Sequence, residues 1–123
     1  MIFLTADTHF NESRITPAFN PFFRPFKSVE EQNKTMVKLI NETVGKNDKL
    51  FHIGDVSVDV EGIKWMKQVK CKNRVLILGN YDLDDPEKMP LLREAFDGNV
   101  WRNSDISLDD GRWIHMNHYP VNA

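Results

Sequence analysis

Only one residue of the chain, Cys71, is a cysteine. No internal disulfide is therefore available, and the chain suits a reducing, cytoplasmic setting. No apolar stretch approaches the roughly 20 residues needed to span a bilayer, so no membrane partner is expected. The amino terminus lacks the basic start and long apolar core of a signal peptide, because Asp7 interrupts it. A basic run is missing too. Lys and Arg together number 16 against 18 Asp and Glu, a net charge of −2, which disfavours nucleic-acid binding through a phosphate-neutralising patch. Internal repeats, low-complexity tracts and domain linkers are likewise absent. What is present is an ordinary globular composition, 41% hydrophobic and 28% charged over 123 residues. The expectation is a single domain over 1–123, long enough to bury roughly two-thirds of its unfolded surface.

The chain is organised around Gly79-Asn80-Tyr81-Asp82, which follows the apolar run Arg74-Val75-Leu76-Ile77-Leu78. Such a short, β-branched, leucine-rich run closed by glycine reads as a buried strand of a parallel sheet. The same order recurs upstream: Met1 to Ala6 runs into Asp7-Thr8-His9, and Leu50 to Gly54 runs into Asp55. In open α/β sheets, ligands bind just past the carboxyl ends of the strands. Asp7, His9, Asp55 and Asn80 are therefore expected on one rim. Asp7 and His9, two apart, would share a side if the strand end is extended.

Between these strands the pattern is helical. Ser28-Val29-Glu30-Glu31 is a capping box. Val29, Met36, Val37, Ile40 and Val44 then follow at helical spacing, with Gly45 where a C′ glycine belongs. Val60 to Val69 reads as a second helix, and Asp84-Asp85-Pro86 as the cap and first turn of a third, with Met89, Leu92 and Phe96 on its apolar face. Alternation of strand and helix predicts a parallel α/β sheet with right-handed crossovers. The tail differs. Ile106 and Leu108 alternate with polar residues, Asp110-Gly111 signals a two-residue hairpin, and Trp113 to His118 alternates again. That hairpin either extends the sheet or starts a second one. Trp65, Trp101 and Trp113 are expected in the core. The stretch from Asn11 to Phe26 carries Pro17, Pro21 and Pro25 among Phe19, Phe22, Phe23 and Phe26. Such a loop either lines a substrate entrance or is pinned to the core by its aromatics.

Carboxylate oxygen, imidazole nitrogen and amide oxygen form a mixed ligand set suited to Mn²⁺, Fe²⁺, Zn²⁺ or Mg²⁺, not to a thiolate-selected metal. Two ions about 3.5–4 Å apart sharing one carboxylate form a common hydrolytic centre for phosphate esters. Arg14, Arg24 and Lys27 lie on or beside the loop after the first motif, where one could grip a substrate phosphate or simply be solvated. His52 reads as a strand-end residue supporting the ligands, and Cys71 as a structural thiol.

Asp7-Thr8-His9-Phe10, Pro25-Phe26, His52-Ile53-Gly54-Asp55, Leu78-Gly79-Asn80 and His118-Tyr119-Pro120, in that order, resemble the motifs of the calcineurin-like metallophosphoesterases, most closely the small bacterial and phage enzymes. The resemblance implies an α/β sandwich with flanking helices, shortened at its carboxyl end. It implies two divalent ions, Mn²⁺ foremost, with Fe²⁺, Zn²⁺, Mg²⁺ or Ni²⁺ as substitutes. Asp7 and His9 would hold the first, Asp55 would bridge, and Asn80 and His118 (rather than His115) would hold the second. The implied reaction is hydrolysis of a phosphomonoester or phosphodiester, small-molecule or nucleotide-type, by a hydroxide that both ions activate. Asp55, Asn80, Tyr81 and Asp82 would form the catalytic group, with Arg14 and Arg24 at the substrate.

Two departures from the family pattern stand out. Tyr81 replaces the usual histidine of Gly-Asn-His-Asp, and tyrosine is a poorer general acid near neutrality. The family's later Gly-His-x-His motif is absent, so each ion would lack one protein ligand unless water, His52, His115 or another chain supplies it. The hairpin edge would then invite pairing with a second copy or a partner chain. Three readings follow: a hydrolase impaired by these changes, a catalytically silent metal-binding fold acting through protein contacts, or one half of an assembly completed in trans.

Overall fold

The computed structural model describes residues 1–13 and 26–119. Arg14, Arg24, the loop phenylalanines Phe19, Phe22 and Phe23, and Pro120 of the last motif lie outside the described residues. Strands β1 (Ile2–Thr5), β2 (Lys49–His52), β3 (Asn73–Ile77) and β4 (Val100–Trp101) form one parallel sheet in the order β1-β2-β3-β4. Phe3 pairs with Leu50, Phe51 with Val75, and Leu76 with Val100. The connecting helices are α1 (Val29–Thr43), a 3₁₀ helix (Glu61–Gln68) and α2 (Lys88–Ala95). Sequential strand order with one hand of crossover puts every connecting helix on the same face. The packing follows that rule. Val37 of α1, Ile63 and Met66 of the 3₁₀ helix, and Leu92 and Ala95 of α2 share one buried cluster with Leu50, Leu76 and Leu78.

Side chains alternate across a strand, so Phe51, Val75 and Ile77 face the other way. There they meet Met116, Ile106 and Ile114 from β5 (Ser104–Ser107) and β6 (Trp113–Met116). These two strands form a separate antiparallel sheet. The expected mixed α/β architecture with a parallel sheet and flanking helices is thus observed, with the hairpin as a third layer. No helix among the described residues is long and apolar enough to cross a membrane.

The capping box forms with a variation. Ser28 Oγ accepts the Glu31 N–H at 3.0 Å, but the Glu31 carboxylate takes the N–H of Lys27, at 2.7 Å, instead of that of Ser28. Several expectations need correction. Gly45 takes the C′ position after the Val44 C-cap, as expected, but without a left-handed turn: Val44 is extended, and the Gly45 N–H bonds the Asp48 carboxylate at 2.7 Å. The helix expected between β2 and β3 forms, and it is 3₁₀. Asp85 caps a turn before α2, its carboxylate taking the Glu87 N–H at 2.9 Å, and α2 itself starts at Lys88. The hairpin loop has one residue more than Asp110-Gly111 suggested. Leu108 accepts the Gly111 N–H and donates its own to Arg112, with Gly111 at φ 86°, the three-residue loop with a bulge. Trp101 and Trp113 are 56% and 70% exposed, because one sits on the two-residue edge strand and the other points away from the face that Ile114 and Met116 bury.

Candidate metal centre

Past the ends of β1 and β2 the main chains stay hydrogen-bonded. Asp7 N–H donates to Gly54 at 2.9 Å, His9 N–H to Asp55 at 3.1 Å and Phe10 N–H to Val56 at 2.9 Å. The backbone there is not extended. Asp7, His9 and Asp55 lie in the left-handed region, at φ 53°, 45° and 59°. Asp and His tolerate that region better than most residues, yet it is strained for any L-residue, and such strain collects at functional sites. Left-handed backbone, not strand alternation, therefore brings Asp7 and His9 together.

The ligand atoms of Asp7, His9 and Asp55 all lie within 4.8 Å of one another. His9 Nε2 is 3.7 Å from an Asp7 oxygen and 3.5 Å from Asp55 Oδ2, and His118 Nε2 is 3.4 Å from that same Asp55 oxygen. These separations are long for hydrogen bonds. They match the roughly 3.0–3.7 Å between neighbouring ligands of one ion at bond lengths near 2.1 Å. His118 Nδ1 meets the Ile53 carbonyl at 2.8 Å and must be its donor, which leaves the Nε2 lone pair facing inwards in the neutral ring. Asn80 directs one end of its amide at both Asp55 oxygens, 3.1 and 3.2 Å away, and at His118 Nε2, 3.2 Å away. Its NH₂ satisfies these acceptors when turned inwards, and its oxygen joins them as a ligand when a cation lies between. The donor set fits a hard or borderline divalent ion.

Asp82 fastens the two loops beneath this cluster. Its carboxylate accepts N–H bonds from Asp55 and Val56, both at 3.0 Å, and from Gly79 at 2.7 Å. Burial pushes the Asp82 carboxyl above its ordinary pKa while those three bonds oppose the rise, and the neighbouring Asp55 charge adds to it. Lys88 is buried beside it, reaching the carbonyls of Ser57 and Tyr81 at 3.1 and 2.7 Å and the Asp84 carboxylate at 2.7 Å. Gly54 and Gly79 permit the close approach. A Cβ on Gly54, already at φ 90°, would overlap His118 Nδ1, and one on Gly79 would overlap Asp55 Oδ1.

On the helix side, the Thr8 hydroxyl donates to Val56 at 2.7 Å and so accepts from His52 Nε2 at 2.8 Å. His52 is fully buried, and burial, reinforced by His9 and His118, lowers its pKa from 6.5 to about 3. It stays neutral and supports the loop without reaching the centre. Asn33 of α1 exchanges two bonds with Asn11, at 3.0 and 2.8 Å, and Asn11 also reaches Asp59 at 2.9 Å. Buried Glu12 sets its carboxylate 3.6 Å from His9 Nδ1, beyond hydrogen-bond length.

The structure thus brings Asp7, His9, Asp55, Asn80 and His118 to one rim. Tyr81 stands beside them, its N–H on Asp55 Oδ1 at 2.9 Å and its ring edge-on to His9 at 4.9 Å between centroids. His115 does not join; it pairs with Asp105 at 2.6 Å on the exposed face of the hairpin. Lys88, Glu12 and Asn33 were missed by the sequence reading. Lys88 carries no signal of burial. Asn33 does, because it lies four residues before Val37 on the apolar stripe of α1.

No protein-family model matches the sequence. The chain is 32% identical, over 124 aligned positions, to the uncharacterized protein MJ1445 of Methanocaldococcus jannaschii, covering 96% of this chain and 69% of that protein. Its fold is similar to the crystal structure of a protein of unknown function, AQ665 from Aquifex aeolicus, with a TM-score of 0.74 at 22% identity over 99% of this chain. The chain spans 62% of the length of the Aquifex protein.

Proposed function

Since the chain belongs to the family of the uncharacterized protein MJ1445, whose name assigns no activity, we propose a function from the site itself: a metal-dependent phosphoester hydrolase of the calcineurin-like type. The observation that carries this reading is the position of the Asp55 carboxylate, with Nε2 of both His9 and His118 and the Asn80 amide within 3.5 Å of it. A carboxylate between two ligand pairs suits two ions, Asp7 and His9 on one side, Asn80 and His118 on the other. Bound there, such ions would lower the pKa of a water and neutralise charge on a phosphoryl group.

The remaining roles belong to the chain. Asp55 orients the ligands on either side, and Asp82 and Lys88 keep the two loops at fixed separation. Tyr81 is the nearest candidate to hydrogen-bond the phosphate or leaving group. A phenol donates a hydrogen bond but protonates an alkoxide less readily than imidazolium. Esters with good leaving groups should therefore be hydrolysed best. The same residue favours a second reading, a metal-binding fold with no turnover.

Metal content measured after Mn²⁺ loading, together with hydrolysis of bis(p-nitrophenyl) phosphate, tests both readings. Bound metal with turnover is the expected result. Tyr81→His should then raise the rate on an alkyl ester by about 100-fold. Metal without turnover in either form supports the silent fold, and failure to bind any divalent ion overturns both.

A further inference from the structure

A cavity of about 240 Å³ opens beside the His118 and Asn80 side of the centre, lined by Leu78, Leu83, Arg102, Asn103, Asn117 and Tyr119. Three of its lining residues lie within two positions of these side chains in the sequence. Leu78 precedes Gly79-Asn80, and Asn117 and Tyr119 flank His118. The Leu78 N–H bonds the Trp101 carbonyl at 2.8 Å, which brings Arg102 to the same rim. The Tyr119 ring stands edge-on to His118, 5.3 Å between centroids.

The lining has a definite chemistry. Leu78, Leu83 and the Tyr119 ring supply apolar surface, and Leu83 and Tyr119 are 45% and 47% exposed. The polar groups are donors or can act as donors. The Asn117 oxygen is taken by the Tyr119 N–H at 3.0 Å, leaving its NH₂ as the free end. Among the described residues Arg102 has no acidic partner and no carboxylate lines the cavity. A second cavity, of about 410 Å³, is the opposite: Asp59, Glu61, Asp84 and Asp85 line it and would repel a phosphate ester.

We infer that the 240 Å³ cavity is a subsite for the nucleobase of a nucleotide-type phosphoester, an assignment that rests on the hydrolase reading above. A ligand that matches this wall is planar, apolar on its faces, rich in acceptors along one edge and joined to a phosphoryl group. A nucleobase has all four properties. Its face packs on Tyr119 and Leu83, its carbonyl edge receives Arg102 and the Asn117 NH₂, and its phosphate lies towards Asn80 and His118. Base–aromatic stacking contributes about 1–3 kcal/mol, and arginine is suited to paired acceptors on a base edge. The cavity is small for a ligand site, which favours one ring system over a dinucleotide.

Calorimetric binding of thymidine 5′-monophosphate and of ribose 5-phosphate to the Mn²⁺-loaded chain tests the subsite. The nucleotide should bind at least about tenfold more tightly than the sugar phosphate. Arg102→Ala and Leu83→Ala, both at the surface, should each remove most of that advantage and leave ribose 5-phosphate unchanged. Equal affinities, no binding of either compound, or an advantage that survives both substitutions overturns the subsite. The two proposals separate cleanly. Hydrolysis of bis(p-nitrophenyl) phosphate without nucleotide preference removes the subsite and keeps the hydrolase, whereas nucleotide preference without hydrolysis of any ester does the reverse.

Discussion

Asp7, His9 and Asp55 reach the centre from two strand ends whose main chains are hydrogen-bonded to each other, whereas His118 reaches it from a different sheet. The first group is held by the bonds of Asp7, His9 and Phe10 to Gly54, Asp55 and Val56, backed by the large core under the helices. His118 depends on one bond to Ile53 and on the docking of the hairpin through Ile106, Ile114 and Met116. Only Met116 of these three is buried. At about 1.5–3 kcal/mol per fully buried apolar side chain, that docking is worth a few kcal/mol. One half of the centre is thus part of the parallel sheet. The other joins Asn80, just past β3, to His118, which a separate layer brings against the sheet, and Asp55 is the residue common to both.

Removing the shared residue should have the largest effect. Asp55→Ala should leave no bound Mn²⁺ above background by elemental analysis, and hydrolysis should disappear with it. His118→Ala should split the halves instead. On the two-ion hydrolase proposal, the ion at Asp7, His9 and Asp55 should remain, the metal content should fall from two ions to one, and turnover of bis(p-nitrophenyl) phosphate should drop by roughly 100-fold. Loss of both ions would show that the halves are not separable.

Asp82→Ala should loosen both halves without touching a ligand. It leaves the N–H groups of Asp55, Val56 and Gly79 unpaired, and at about 1–3 kcal/mol each the chain should lose at least about 3 kcal/mol in urea unfolding. The smallest effect concerns His52, beneath the first half. Its folded pKa of about 3 lies below its unfolded value near 6.5. Its contribution is therefore present above the unfolded value and is lost as pH falls towards the folded one. Between pH 7 and pH 5 the expected loss is about 2 kcal/mol. His52→Gln, which keeps a donor for Thr8, should flatten that dependence.

Much of the rim was legible in the sequence, because a short apolar run ending in Asp7, Asp55 or Asn80 marks both a strand and the rim that it faces. Ser28 and Glu31 announced the start of α1 for an equally local reason. The left-handed backbone at Asp7, His9 and Asp55 left no such mark. Asp and His are permitted there but seldom required. The burial of Lys88 was hidden because lysine ordinarily reads as surface. Trp101 and Trp113 misled in the other direction: a large apolar side chain suggests a core, but strand length and hairpin facing decide whether any layer covers it.

By itself the sequence determined the alternation of strands and helices and the residue types presented at the strand ends, since both follow from hydrophobic period and local turn chemistry. Only the tertiary structure decided which face of the sheet receives the hairpin, and hence how His118, already preferred to His115 for its place in His118-Tyr119-Pro120, comes to meet Asp55. That choice depends on burial of Ile106, Ile114 and Met116 against side chains more than 25 positions away in the chain, which no local pattern specifies.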